Sequence, residues 1–101
     1  MNKQERINAV IASIEHWERM ATGNELDGES PCEDDCALCK EWADKSCEGC
    51  PIKTFTGKFC YVRWSPYRSA AQAWPDRGFR SAAKEMVAHL FDVLDNEEKM
   101  P

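Results

Sequence analysis

The sequence predicts an α-rich α+β fold: N- and C-terminal helices packed as a hairpin, with a cysteine-rich module and a short β-hairpin between them. Three observations predict it. Apolar residues recur at helical spacing near both ends of the chain. All six cysteines (Cys32, Cys36, Cys39, Cys47, Cys50 and Cys60) fall within 29 residues between those ends. From Ile52 to Trp64, β-branched and aromatic residues flank Thr56-Gly57, the pattern of two short strands joined by a turn. A chain of 101 residues makes one domain, 1–101.

The first helix is expected over residues 3–21. Ile7, Val10, Ile11, Ile14, Trp17 and Ala21 share one face, Asn2 and Glu5 form a box-like cap, and Gly23 suits the stop. His16 lies opposite Ile7 at about 100° per residue, so solvent is its expected neighbour. Residues 22–35 hold Gly23, Gly28, Pro31 and six acidic side chains and read as a solvated connector. Asp35 can cap a short helix from Cys36 to Lys45, with Leu38 and Trp42 facing the core together. Gly49 permits a tight turn at Cys47-Glu-Gly-Cys50, and Pro51 is expected to prevent a helix from running through it.

Ser65-Pro66 pairs a capping residue with proline at the first helical position, which predicts a helix over 66–74, ended by Pro75. Asp76 then caps a last helix over 77–96. Its apolar face is Phe79, Ala82, Ala83, Met86, Val87, Leu90, Phe91 and Leu94. Asp92, Asp95, Glu97 and Glu98 oppose the helix dipole, so this terminus is expected to fray.

Charge is distributed unevenly. The net charge of −5 divides into −7 over residues 1–50, +6 over 51–84 and −4 over 85–101. The basic middle also holds seven of the ten aromatic residues, which makes it the natural place for a partner surface. No apolar run is long enough to span a bilayer, and Met1-Asn-Lys-Gln-Glu-Arg6 lacks the pattern of an export signal. The expected compartment is the cytoplasm, where thiols stay reduced and serve as metal ligands more often than as disulfides.

Cysteine spacing gives the strongest chemical signal. Cys36-Ala-Leu-Cys39 and Cys47-Glu-Gly-Cys50 each present two sulfurs to one ion, and two such turns complete a tetrahedral zinc shell. The central module, 32–60, is therefore expected to be a zinc-knuckle module with Cys36, Cys39, Cys47 and Cys50 as ligands. Cys60 can replace one of them, and Cys32 and His16 stand behind it. An iron–sulfur cluster is the alternative cofactor, since Cys50-Pro51 echoes the last ligand of ferredoxin runs. Disulfides and redox-active thiols are further alternatives. Four thiolates leave no open coordination position, which argues for structural rather than catalytic metal.

His16-Trp17, Cys36-Ala-Leu-Cys39, Cys47-Glu-Gly-Cys-Pro-Ile52, Thr56-Gly57, Cys60 and Ser65-Pro-Tyr67 together resemble a group of small cysteine-rich proteins encoded by bacteriophages and prophages. The resemblance covers most of residues 14–67. It implies a phage origin, the cytoplasm of an infected or lysogenic bacterial host, and a metal-type module using Cys36, Cys39, Cys47, Cys50 and Cys60. Cys32 lies outside the shared pattern.

The expected function is that of an accessory protein that binds a host or phage macromolecule, most often a protein, and modifies its action. Inhibition of host defence such as CRISPR is one form of this. The alternative is a nucleic-acid-binding zinc protein. In that reading Lys53, Lys58, Arg63, Arg68, Arg77 and Arg80 contact phosphates, and Tyr61, Trp64 or Tyr67 stack on bases. An enzyme is disfavoured, because the chain has two histidines and no recognisable nucleophile–base pair, phosphate loop or zinc-protease segment. The sequence leaves the oligomeric state open.

Overall fold

The computed structural model describes residues 2–24, 26, 28–29, 37–42, 49–57, 66–74 and 78–100, with the backbone alone at 37, 39, 66 and 71. These residues form helices α1 (Lys3–Thr22), α2 (Ala37–Trp42), α3 (Pro51–Thr56), α4 (Pro66–Ala73) and α5 (Phe79–Lys99). None of the five is long and apolar enough to cross a membrane.

Local chemistry sets the ends of α1. Asn2 Oδ1 accepts the Glu5 backbone N–H at 2.8 Å, and Gly23 closes the helix in the left-handed region at φ 79°. A side chain at Gly23 would be strained there and would also meet the Arg80 guanidinium, so glycine serves both backbone and packing.

The two long helices run antiparallel. Arg6 near the start of α1 pairs with Glu97 near the end of α5, while Trp17 lies 6.4 Å from Phe79 at the start of α5, ring centre to ring centre. Helices α3 and α4 pack on α5, and α2 packs on α1. The core between them comprises Val10, Ile14, Trp17, Met20, Leu38, Trp42, Ile52, Tyr67, Phe79, Met86, Leu90 and Val93, together with buried alanines.

Both long helices bury most of the face the apolar pattern indicates, Val10, Ile14, Trp17 and Ala21 on α1 and Phe79, Ala83, Met86 and Leu90 on α5, but the buried stripe extends beyond it. On α1 the buried positions are Val10, Ser13, Ile14, His16, Trp17, Met20 and Ala21, whereas Ile11 is 39% exposed. At about 100° per residue, the buried arc is turned by roughly 65° from the apolar one. On α5 the buried residues are Phe79, Ala83, Met86, Leu90, Val93 and Glu97, which step by four and three in the rhythm of a helix–helix seam. Phe91, included in the expected apolar face, is half exposed.

The expected α+β class with a β-hairpin is corrected: the described residues are helical and contain no strand. Within the segment expected to form the hairpin, residues 51–56 are α3. Pro51 occupies the first helical position, where its missing N–H costs nothing and its fixed φ favours the helix, with Cys50 as N-cap. Gly57 at φ 75° ends this helix, donating its N–H to the Lys53 carbonyl. The proline expected to stop a helix begins one, and the Thr56-Gly57 expected to turn a hairpin ends it. Residues 58–64 lie outside the described residues. Most of the expected zinc-knuckle module lies outside the described residues; of its cysteines, Cys39 belongs to α2 and Cys50 caps α3.

The expected fraying of the C-terminal helix is also corrected. Helix α5 continues to Lys99, and Lys3 Nζ donates to the carbonyls of Glu98 at 2.9 Å and Met100 at 2.6 Å. A cation placed on the last carbonyls offsets the unfavourable acidic end. Arg6 adds a second cation at this end, on the Glu97 carboxylate.

Candidate functional site

Two largely buried polar clusters lie along α1. The first is built on His16, which is 2% exposed. Its Nδ1 lies 2.5 Å from Glu29 Oε2. Arg19, one turn further along α1, brings its guanidinium onto the same carboxylate, with Nη2 2.6 Å from Oε2. The Leu26 backbone N–H donates to Oε1 at 2.9 Å. Donors from three residues therefore converge on Glu29. The Arg19 hydrogen bond, helped by Leu26 and His16, lowers its carboxyl to about 2 against an ordinary 4.5.

His16 Nε2 and Trp17 Nε1 are both buried and have no hydrogen-bond partner among the described residues. The two rings meet edge to face with centres 5.3 Å apart. A buried polar atom left without a partner costs about 1–3 kcal/mol, so two neighbouring ones mark this place out.

The second cluster is built on Arg6. Its Nη2 lies 2.7 Å from Glu97 Oε1 and its Nε 3.0 Å from Oε2, a fork-to-fork pair with a carboxylate only 1% exposed. Arg6 also donates to the Gly49 carbonyl and to Thr54 Oγ1 at 3.4 Å, and its guanidinium sits 5.9 Å from the Trp42 ring centre. One side chain thus ties α1 to α5, to the turn before α3, to α3 itself and to α2.

Of the sequence-predicted metal ligands, Cys50 is buried at 5% exposure, beside the Arg6 cluster. Cys39 is placed in α2 by its backbone. Cys32, Cys36, Cys47 and Cys60 lie outside the described residues. Among the described residues no three His, Cys, Asp or Glu side chains come together as a metal-binding group. His16, expected to face solvent, is instead fully inside.

The basic, aromatic segment divides between surface and core. Tyr67 is 4% exposed, edge-on to Trp17 with centres 6.0 Å apart, and Trp74 packs edge-on to Phe79 at 4.8 Å. Tyr67, buried in this way, presents no free stacking face of the kind an unpaired base needs. Lys53 and Arg68 are half-buried and Arg80 is exposed next to Gly23. Lys58, Tyr61, Arg63, Trp64 and Arg77 lie outside the described residues.

Sequence reasoning missed Arg6, Ser13, Arg19, Glu29 and Glu97. A charged residue in a charged helix or an acidic loop carries no local mark of burial. Only Glu97 left a trace, as the next step in the four-and-three rhythm of α5.

His89 on α5 gives a pH prediction. Burial beside Phe55, whose ring centre is 6.2 Å away, pushes the imidazole below its ordinary 6.5, with Asp92 opposing. A base whose folded value is lowered takes up its proton more readily in the unfolded chain. Stability should therefore decline as pH falls below about 6.5. Urea midpoints measured from pH 8 to pH 5 should fall more steeply for the natural chain than for His89→Gln. Equal slopes would contradict this assignment.

Comparison of the chain with protein-family models, with curated proteins and with solved structures returned no match.

Proposed function

We propose that this chain is a zinc-stapled accessory protein of the phage type that acts by binding a host or phage macromolecule, a protein above all. Inhibition of a host defence such as CRISPR is the form of action that fits its size and resemblance. The observation that carries the reading is the concentration of six cysteines, two of the pairs spaced Cys-x2-Cys, between long helices that contain none. Thiolates so spaced suit one tetrahedral zinc, and a closed thiolate shell stabilises a surface rather than activating water. The buried ion pairs support binding over catalysis in the same way: Arg6–Glu97 and Arg19–Glu29 are committed to holding the helices and the connector together.

Half-exposed Phe55 and Phe91, on α3 and α5, give a partner apolar contacts of the kind that dominate binding energies. Localisation follows the resemblance, the cytoplasm of an infected or lysogenic bacterium.

Native mass spectrometry with elemental analysis, before and after a strong chelator, tests the metal. The expected result is one zinc per chain, with helicity and thermal stability lost on its removal, because structural zinc binding is itself folding free energy. Capture from host lysate with tagged protein tests the partner, and chelation should abolish it. Iron with sulfide, or a metal-free chain with intact disulfides, overturns the zinc reading. A fully loaded protein that repeatedly captures no specific macromolecule overturns the binding one.

A further inference from the structure

We propose that this chain forms a symmetric dimer through the open side of its α1–α5 pair, with Phe91 packed against Phe91 of a second copy. The surface is built from the two long helices and does not depend on what the cysteines bind.

Apolar residues beyond the buried seam collect on one side of the pair. Ile7 and Ile11 follow Arg6 and buried Val10 by one residue, and Val87, Phe91 and Leu94 follow buried Met86, Leu90 and Val93 by one. A step of one residue turns a helix by about 100°. Because α1 and α5 face each other and run antiparallel, the same step on both emerges on the same side. With Arg6 on Glu97 and Trp17 beside Phe79, Ile7 comes level with Leu94, and Ile11 falls between Val87 and Phe91. Ile11 is 39% and Phe91 50% exposed, while Ile7, Val87 and Leu94 are half-buried.

The short helices meet the pair elsewhere. The Leu38 N–H of α2 donates to Ser13, and Phe55 of α3 packs on His89. Ser13 and His89 each stand one residue before a seam position, Ile14 and Leu90, and so lie on the opposite side. Helix α4 reaches the end of the pair where α5 begins, with Tyr67 on Trp17 and Trp74 on Phe79.

Charge identifies the occupant. Within about 40° of Phe91 around α5, Arg80 and Lys84 precede the apolar residues and Asp95 and Glu98 follow them, all four exposed. This order runs against the helix dipole, which favours acids in the first turn and bases in the last. It suits an antiparallel copy of itself. A two-fold axis at Phe91 sets Lys84 against Glu98 of the second copy and Val87 against Leu94 of the second copy, and makes each contact twice. Asp95 has Lys99 one turn on, at 2.8 Å, so Lys84 and Glu98 carry the pairing. The same axis moves Glu15 and Glu18 of α1 toward the end that holds the uncharged Gln4 and Asn8. Any other partner would have to supply the complementary order independently, whereas a second copy carries it already. Phe55, on the opposite side, stays available to the macromolecule of the proposed function.

Sedimentation equilibrium of the full chain, from about 1 μM to about 1 mM, tests the dimer. The expected result is a reversible monomer–dimer equilibrium that weakens with added salt. Phe91→Ser should raise the dissociation constant about 30-fold or more, as loss of a central anchor does, with helicity unchanged. Lys84→Glu should weaken association, and Lys84→Glu combined with Glu98→Lys should restore it. In a mixture of labelled and unlabelled natural chains, an isotope-filtered NOE between the two Phe91 rings should appear without any substitution. A chain that stays monomeric at about 1 mM overturns the proposal, as does a dimer that lacks this NOE or keeps its affinity in Phe91→Ser. A monomer that captures a host protein through Phe91 gives the surface to that protein and overturns the second copy equally.

Discussion

Replacing Arg6 with alanine is expected to destabilise the domain by about 3–5 kcal/mol, the cost of leaving one member of a buried ion pair unmatched. Glu97 is the reason. Its carboxylate is 1% exposed, and its two oxygens accept from Arg6 Nη2 and Nε, at 2.7 and 3.0 Å. Without the guanidinium the carboxylate must either stay charged in the core or take up a proton there. The same substitution releases the Gly49 carbonyl, Thr54 and the Trp42 ring, so α2 and α3 lose their shared tether to α1.

For a domain of this length, each kcal/mol lowers the melting temperature by roughly 4–8 °C, so a drop of more than about 12 °C is expected. A double variant, Arg6→Met with Glu97→Leu, should recover much of the loss, because the desolvation penalty disappears with both charges. Thermal unfolding followed by circular dichroism checks each. An Arg6→Ala protein within about 1 kcal/mol of the natural one would show that solvent reaches Glu97 and that the pair is a surface contact in solution.

What the sequence made legible follows from the range over which each signal acts. The cap at Asn2, the stop at Gly23 and the start at Pro66 depend on backbone needs met within a few residues, and all three helix ends appear where those residues stand. Pro51 is as local a signal, but it has two meanings: it blocks a helix arriving from behind and favours one starting at its own position. With Cys50 as N-cap and Gly57 six residues on, the second meaning holds, and the expected strands give way to α3.

Burial behaves differently, because it depends on what lies opposite. The arc of α1 that contains Ser13 and His16 is polar by composition and buried because α2 and the connector cover it. Arg6 and Glu97 stand 91 residues apart, and each reads alone as a solvated charge on an amphipathic helix. Glu29 is one acidic residue among six in its stretch, distinguished only by the cations that reach it. The cysteine spacing names a chemistry, yet the polar residues that would orient a metal ligand have no spacing rule to reveal them.

Trp17 separates packing from polar satisfaction, and the two give opposite signs. The residue is fully buried, with Tyr67, Phe79 and His16 around its ring. Trp17→Ala should therefore cost about 3–5 kcal/mol, from lost burial and the cavity left between α1, α4 and α5. Its indole N–H has no hydrogen-bond partner among the described residues, and an unsatisfied buried donor costs about 1–3 kcal/mol. Phenylalanine keeps much of the ring and deletes that donor. Trp17→Phe should consequently lose no more than about 1–2 kcal/mol, since removing the orphan offsets part of the lost volume. Urea unfolding of the two variants at one pH measures the difference directly. If Trp17→Phe proves as damaging as Trp17→Ala, the indole N–H is bonded in solution, and the unsatisfied atoms beside His16 reduce to Nε2 alone.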